Sequence, residues 1–112
     1  MIVEDNDELR NYLSQTLSEE YFVQVCSNGK EALTIIPEYK PELVISDIMM
    51  PEMDGFEVLA YINKYHWNDT FAVIMISADD SPANIKRAYD LGAFDYISRP
   101  FDSTIVQRRI SN

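Results

Sequence analysis

The chain has 112 residues, of which 19 are acidic and 9 are basic, so its formal charge is −10. This charge opposes direct binding to nucleic acid or to an anionic membrane surface, because such binding depends on Lys and Arg that neutralise phosphates. An apolar content of 46% is sufficient for the core of one compact domain. The single cysteine, Cys26, excludes an internal disulfide. No apolar run approaches the roughly 20 residues that span a bilayer. We therefore expect one cytoplasmic domain over residues 1–112, as part of a longer protein.

Short apolar runs alternate with amphipathic segments along the whole chain, without a linker or a repeat. In chain order, the apolar runs predict strands at residues 1–3, 21–26, 43–46, 71–76 and 94–97. Apolar residues at helical spacing follow each run and predict five helices, the first over residues 8–19 and the others beginning near residues 29, 56, 82 and 103. Asn6 or Asp7 can cap the first helix and Asp102 the last. Pro37 and Gly92 are expected to end the second and the fourth.

Five strand–helix units predict a parallel sheet with helices on both faces. Neighbouring parallel strands need crossover connections, and these are almost always right-handed. We therefore expect a doubly wound α/β fold with five parallel strands in the flavodoxin-like order 2-1-3-4-5. Ligands in such sheets bind beyond the carboxyl ends of the strands, where the order reverses between the first strand and the third.

Polar side chains follow the predicted strands at that edge. Glu4 and Asp5 come after the first strand, Asp47 after the third, Ser77 after the fourth and Arg99 after the fifth. Packed carboxylates repel one another unless a hard cation lies among them, and Mg²⁺ prefers oxygen ligands at about 2.1 Å. A hydroxyl and a guanidinium beside that cation indicate a place for a phosphoryl group, which the remaining carboxylate could attack as a nucleophile.

Four short motifs lie at these strand ends, in order along the chain. They are Val3-Glu4-Asp5-Asn6, the segment 46–55 with the sequence SDIMMPEMDG, Ile76-Ser77-Ala78 and Arg99-Pro100-Phe101. Together they resemble the receiver domain of bacterial two-component response regulators, and the match covers essentially the whole chain. Each motif alone is a weak signal, but four in order, each at the end of a predicted strand, are a strong one.

The resemblance implies a phosphorylation-dependent signalling switch, not an enzyme with an external substrate. It implies that Asp47 accepts a phosphoryl group from a sensor histidine kinase in a Mg²⁺-dependent reaction, and that water later removes it. Asp5, Asp47 and the main-chain carbonyl of Met49 would bind Mg²⁺, and Glu4 would hold the metal through water. The implied partners are the kinase, an effector domain or partner protein outside this chain, and a second copy of the chain on phosphorylation, without direct nucleic-acid or membrane binding by this domain.

The resemblance also implies a relay from the phosphorylation site to the surface. Ser77 would bond a phosphate oxygen in the active form, while Tyr96 moves inward. The family has Lys where this chain has Arg99, and Arg brings a planar fork instead of a compact ammonium, so its contact with phosphate is expected to be longer or bidentate. The peptide before Pro100 is usually cis in the family, and the same is expected here. Asp79, two residues after Ser77, is a candidate for orienting the water that removes the phosphoryl group.

Two other functions compete with this interpretation. The first is a receiver-like interaction module that is not phosphorylated, which the Arg99 departure keeps open. The second is a Mg²⁺-dependent phosphohydrolase with an aspartyl nucleophile, which is disfavoured because Met49, two positions after Asp47, cannot act as a general acid. Taken singly, Glu4 and Asp5 could belong to a solvated capping turn, and Ser77 could cap a turn. In the same way, Arg99 could be a surface cation, Tyr96 a half-buried aromatic and Asp54 a support for its turn.

Overall fold

The computed structural model describes residues 1–79, 81–99 and 103–111, without the side chains of Ser103 and Ser111. The strands are β1 (Ile2–Val3), β2 (Val25–Cys26), β3 (Leu43–Asp47), β4 (Ala72–Ser77) and β5 (Asp95–Ser98). The helices are α1 (Asp7–Leu17), α2 (Gly29–Tyr39), α3 (Gly55–Lys64), α4 (Pro82–Asp90) and α5 (Ser103–Ser111), with a short 3₁₀ helix at Trp67–Asp69. The expected cis peptide before Pro100 and the predicted cap Asp102 lie outside the described residues.

The strands form one parallel sheet in the order β2-β1-β3-β4-β5. This order confirms the predicted doubly wound α/β fold. Val3 pairs with Ser46, and Asp47 pairs with Ile76, so β1, β3 and β4 end at nearly the same level. The residues that follow these ends therefore share one edge of the sheet, at the point where the strand order reverses.

Helices cover both faces of the sheet. Side chains alternate between the faces along a strand, so Val44 packs in the core beneath α2, α3 and α4, while Ile45 packs in the core beneath α1 and α5. Val73 and Ile74 repeat this alternation on β4. Each fully buried side chain of this size stabilises the fold by about 1.5–3 kcal/mol, so the central strands are a firm support for the residues at their ends.

Polar side chains cap the N-termini of α1, α2, α3 and α4. The side chains of Asn6, Asn28, Asp54 and Ser81 accept hydrogen bonds from the main-chain N–H groups of Leu9, Glu31, Glu57 and Asn84, respectively. Asn6, not Asp7, is therefore the cap of α1. Asp54 and Glu57 form a reciprocal capping box, so Asp54 supports its turn as the sequence predicts.

Three elements differ from their predicted bounds by two residues or more. The first helix ends at Leu17 instead of near residue 19. The second strand is confined to Val25–Cys26 because it is an edge strand whose pairing residues on β1 are Ile2 and Val3. The second helix continues past Pro37 to Tyr39. A proline removes one helical hydrogen bond but leaves the φ and ψ angles of the next residues free to stay helical. No helix in the described part of the chain is long and apolar enough to cross a membrane.

Candidate functional site

Three carboxylates meet beyond the ends of β1 and β3. Glu4 is fully buried, Asp47 is 5% exposed, and Asp5 is open to solvent. One carboxylate oxygen from each residue lies within 4.8 Å of the other two. Hard oxygen ligands with one solvent-facing member suit Mg²⁺, which usually keeps several waters in its coordination shell. The donor set of this cluster therefore fits the metal that the sequence predicts.

The loop after β3 holds Asp47 in place. The main-chain N–H of Met49 donates to Asp47 Oδ1 at 3.4 Å, and the Met49 side chain is 70% exposed. Gly55, at the start of α3, donates its N–H to the Ile48 carbonyl at 2.7 Å. A Cβ at position 55 would lie 2.3 Å from the Asp47 carbonyl oxygen. A glycine is thus required for α3 to begin directly against the end of β3.

Arg99 lies between two of the carboxylates. Its Nη2 is 2.6 Å from Glu4 Oε1 and 3.2 Å from Asp47 Oδ2. Its main-chain N–H donates to the Ser77 carbonyl at 2.7 Å, which fixes the backbone where β5 ends beside β4. Its Nε is buried and has no hydrogen-bond acceptor among the described residues. Arg99 is therefore not a surface cation. Its guanidinium pairs with the buried carboxylates and offsets part of their charge.

The surroundings of Glu4 oppose a negative charge on its carboxyl group next to the charge of Asp47. Burial of Glu4, together with a hydrogen bond and charge repulsion from Asp47, raises the pKa of Glu4 to about 8. The Arg99 guanidinium acts in the opposite direction, but it does not cancel these effects. The site therefore stabilises either a proton on Glu4 or a nearby cation.

Ser77 and Tyr96 meet at the main chain of Asp79. The fully buried Ser77 Oγ accepts from the Asp79 N–H at 3.0 Å. The Tyr96 hydroxyl donates to the Asp79 carbonyl at 2.5 Å, and Tyr96 is only 7% exposed. Tyr96 is thus already directed inward in this structure. Both hydrogen bonds of this pair end on one residue of the loop that leads into α4.

The side chain of Asp79 has a role that the sequence interpretation missed. Its Oδ1 accepts from the Ser81 N–H at 2.8 Å, and its Oδ2 accepts from Asn84 Nδ2 at 2.5 Å. The hydrogen bonds from Ser81 hold the pKa of Asp79 below its usual range. Asp79 followed two residues later by the Ser81-Pro82 helix start is the spacing of a local side-chain turn, which could have predicted this role. The carboxylate supports the start of α4 in this structure, and its candidate role in orienting water stays a prediction.

A cation–π pair links α4, which follows this loop, to α3. The Arg87 guanidinium of α4 lies 4.2 Å from the ring centroid of Phe56, which is buried at the start of α3. Cation–π contacts of this kind stabilise a packed pair by about 0.5–2 kcal/mol. A movement of α4 would therefore disturb the segment that supports Asp47.

Comparisons with known proteins agree with this geometry. The family model described as "Response regulator receiver domain" matches residues 1–111. Chemotaxis protein CheY of Halobacterium salinarum is 35% identical over 114 residues, which cover 100% of this chain and 92% of that protein. A solved structure of the Vibrio cholerae chemotaxis protein CheY4 has a TM-score of 0.92 and 25% identity, and the match covers 98% of this chain and 92% of that one.

Several other relatives are longer than this chain. Regulatory protein VanRB of Enterococcus faecalis is 38% identical over 111 residues, which are 98% of this chain but 49% of that protein. Across VanRB and four further curated relatives, the chain spans 25% to 54% of their length. The shared region therefore corresponds to one part of each of those proteins.

Proposed function

Because this chain belongs to the family of response regulator receiver domains, we propose that it is a signalling switch in which Asp47 accepts a phosphoryl group from a sensor histidine kinase. Receiver domains are switches of two-component systems, not classical enzymes. The observation that carries the proposal is the position of Asp47. Asp47 is the last residue of β3, and a carboxylate oxygen of Asp47 lies within 4.8 Å of carboxylate oxygens of Glu4 and Asp5. Its Oδ2 is 3.2 Å from Arg99 Nη2.

Receiver domains bind Mg²⁺ at an acidic pocket, and we propose that the carboxylate cluster is that pocket. Asp5, Asp47 and the Met49 carbonyl would be direct ligands, and Glu4 would bind through water. When bound, the ion would supply positive charge that neutralises the oxygens of the transferred group. The solvent-facing Asp5 leaves room for the waters that Mg²⁺ retains.

The transfer itself is a nucleophilic displacement. An oxygen of the Asp47 carboxylate attacks phosphorus, the phosphorus–nitrogen bond of the kinase phosphohistidine breaks, and an acyl phosphate forms on Asp47 while the imidazole recovers its electron pair. Ser77 Oγ accepts a hydrogen bond from Asp79 and can donate its own proton to a phosphoryl oxygen. Arg99 supplies further donors, because its buried Nε has no acceptor among the described residues.

The proposed setting follows from the family. Receiver domains pair with histidine kinases and with output domains. We propose that residues 1–112 are the receiver domain of a longer cytoplasmic protein, since the chain spans only part of several relatives. The output domain or partner protein, and a homodimer formed on phosphorylation, are part of the same proposal.

Incubation with acetyl phosphate and Mg²⁺, followed by intact-mass measurement, tests the proposal. The expected result is the addition of one phosphoryl group, which is lost slowly after the donor is removed. An unchanged mass under saturating donor and metal would instead favour the interaction module. Steady release of inorganic phosphate without an accumulated adduct would favour a phosphohydrolase, the function that Met49 disfavours.

A further inference from the structure

An apolar groove opens at the amino ends of the strands, opposite the edge that carries the carboxylate cluster. Its volume is about 750 Å³, within the range of about 300–1,000 Å³ for pockets that hold ligands. Ile2, Leu43 and Ala72, the first residues of β1, β3 and β4, line it. The buried side chains of Ile45 and Ile74 continue its wall along β3 and β4. The groove is therefore separate from the proposed phosphorylation site.

Aromatic side chains lie at the mouth of this groove. Phe22 is 99% exposed and Phe94 is 59% exposed, and both line the groove together with the half-exposed Tyr21 and Tyr39. The Tyr39 hydroxyl donates to the Phe22 carbonyl at 3.4 Å, so the end of α2 contacts the segment before β2. Neighbouring exposed apolar side chains of this kind mark interaction sites, and aromatic residues are enriched at the centre of protein interfaces.

Glutamates surround the mouth of the groove. Glu20 and Glu42 line it, and Glu19 and Glu38 directly precede Glu20 and Tyr39 in the sequence. All four glutamates are exposed, and none forms an ion pair with a cation among the residues that the structure describes. The rim therefore carries negative charge that awaits a partner.

Basic groups also line the groove, but they offset little of this charge. Arg109 is paired with Asp95 at 2.6 Å. The Met1 amino group donates to the Leu43 carbonyl at 2.8 Å, and burial lowers its pKa to about 6, so it is mostly uncharged at neutral pH. Within the described lining, Lys40 is thus the cation that remains without an ion pair.

An apolar groove with an acidic rim is complementary to a segment that is apolar at its centre and positively charged at its flanks. We propose that the groove is a docking site for such a segment of a partner protein, with an aromatic or branched apolar anchor flanked by Lys or Arg. The anchor packs against Phe22 and Phe94, and the flanking cations face Glu20 and Glu42. A second copy of the chain fits less well, because the two sets of glutamates would face each other. This docking is a function beyond the phosphorylation of Asp47 and does not depend on it.

The test is a calorimetric titration of the chain with short peptides of equal length. In the first peptide lysine alternates with leucine, in the second lysine alternates with glycine, and in the third glutamate alternates with leucine. We expect binding of the lysine–leucine peptide alone, with an affinity that falls as salt is added. Absence of that binding, or equal binding of either other peptide, would overturn the proposal. Self-association of the free chain in sedimentation would assign the groove to a second copy and would also overturn it.

Phe22→Ser removes the ring at the mouth, and the fold should tolerate this change because the ring is almost fully exposed. The lysine–leucine peptide should bind at least about tenfold less tightly to this variant, since one large apolar contact is lost. Tyr65→Ser is the matched control, because it removes an exposed ring that packs on Tyr61 and Trp67 outside the groove. Equal affinities of the two variants would contradict the assignment of the anchor.

The double variant Glu20→Gln, Glu42→Gln tests the rim. It should weaken binding of the lysine–leucine peptide about threefold or more. Its control is the double variant Glu8→Gln, Asp69→Asn, which removes two exposed carboxylates from other parts of the surface. The same loss in both would show that the net charge of the chain, not the rim, attracts the peptide, and would overturn the proposal.

A measurement on the wild type does not depend on how any variant folds. The amide resonances of Phe22, Glu42 and Phe94 should shift during the titration with the lysine–leucine peptide, while those of Asp5 and Met49 stay constant. Shifts at Asp5 and Met49 without shifts at the groove would place the peptide on the carboxylate cluster. That result would overturn the docking site.

Discussion

The edge of the sheet has two halves that are stabilised in different ways. The acid side, at the ends of β1 and β3, comprises Glu4, Asp5, Asp47 and the Arg99 guanidinium. The relay side, at the ends of β4 and β5, comprises Ser77, Asp79 and Tyr96. Buried charges hold the acid side together, whereas the relay side is joined by hydrogen bonds of uncharged hydroxyls to the Asp79 main chain.

The difference shows which half can respond to a change of charge. Burying two carboxylates opposes folding unless cations and hydrogen bonds offset the loss of water, so the acid side is sensitive to a metal or a phosphoryl group. The relay side contains short hydrogen bonds that are made in the structure as it stands, and it stabilises the fold directly. Substitutions on the acid side should therefore change chemistry more than stability, and substitutions on the relay side should do the reverse.

The largest effect is expected at Asp47. Asp47→Asn keeps the shape of the side chain but removes the nucleophilic charge, so it should abolish the mass increase with acetyl phosphate and Mg²⁺. Asp54→Asn is the matched control, because Asn caps a helix about as well as Asp and Asp54 acts in the capping box of α3. A phosphoryl group on the Asp47→Asn protein at the wild-type rate would show that the acceptor is another residue.

Asp5→Ala separates metal binding from folding on the acid side. Its carboxylate is open to solvent, and the N–H that it donates to Glu4 is retained in alanine. The metal-free melting temperature should therefore stay the same or rise, because one of three neighbouring negative charges is removed. A ligand at 100 times its Kd stabilises a protein by about 2.7 kcal/mol, and we expect most of the Mg²⁺-induced rise in melting temperature to be lost.

The control for this prediction is Asp69→Ala, in the short 3₁₀ helix before β4. It removes a carboxylate outside the cluster and should keep the full Mg²⁺-induced rise. A metal-free melting temperature that falls in Asp5→Ala alone would mean that the Asp5 carboxylate stabilises the fold, against the repulsion argument.

Tyr96→Phe tests the relay side. Phenylalanine keeps the buried ring but removes the hydroxyl that donates to the Asp79 carbonyl at 2.5 Å, so urea unfolding should show a loss of about 1 kcal/mol. Tyr89→Phe is the control, because its hydroxyl makes a longer contact of 3.3 Å with Asp95 at an exposed position. An equal loss in both variants would contradict a special contribution from Tyr96. Phosphorylation of Asp47 should proceed in both.

The sequence was sufficient to predict which residues gather at the edge. In a parallel sheet the carboxyl ends of the strands share one edge, so a residue that follows a strand is positioned by the topology alone. Glu4, Asp5 and Asp47 were identified in this way, and the structure brings their carboxylates together. The assignment of Mg²⁺ ligands and of a phosphoryl acceptor within that group stays a prediction.

The hydrogen-bond partners could not be predicted in the same way. Arg99 is expected to reach a phosphate, and that contact stays a prediction. Its long side chain has several rotamers, and among the described residues it pairs with the buried carboxylates of Glu4 and Asp47. The role of Asp79 depends on a local turn that brings its carboxylate to Ser81 and Asn84. Such contacts depend on side-chain rotamers and turn geometry, which residue spacing leaves open.

The smallest expected effect lies outside both sides, at the ion pair between Asp95 of β5 and Arg109 of α5, whose atoms Oδ1 and Nη1 are 2.6 Å apart. Burial alone would raise the pKa of Asp95, but the Arg109 guanidinium and the Tyr96 N–H hold it below its usual value of 3.8. The stability that this carboxylate contributes is therefore present above about pH 4 and is lost as the pH falls through its lowered pKa. Asp95→Asn keeps an oxygen that can accept from the Tyr96 N–H but removes the charge that pairs with Arg109. The free energy of unfolding should therefore fall by less than about 1 kcal/mol at pH 7, as expected for a partly exposed pair. This difference from the wild type should disappear in strong acid. Urea unfolding at pH 7 and at a series of pH values below 4 would measure how this difference changes, and a difference that stays constant as the pH falls would show that the charge of Asp95 is not what anchors β5 to α5.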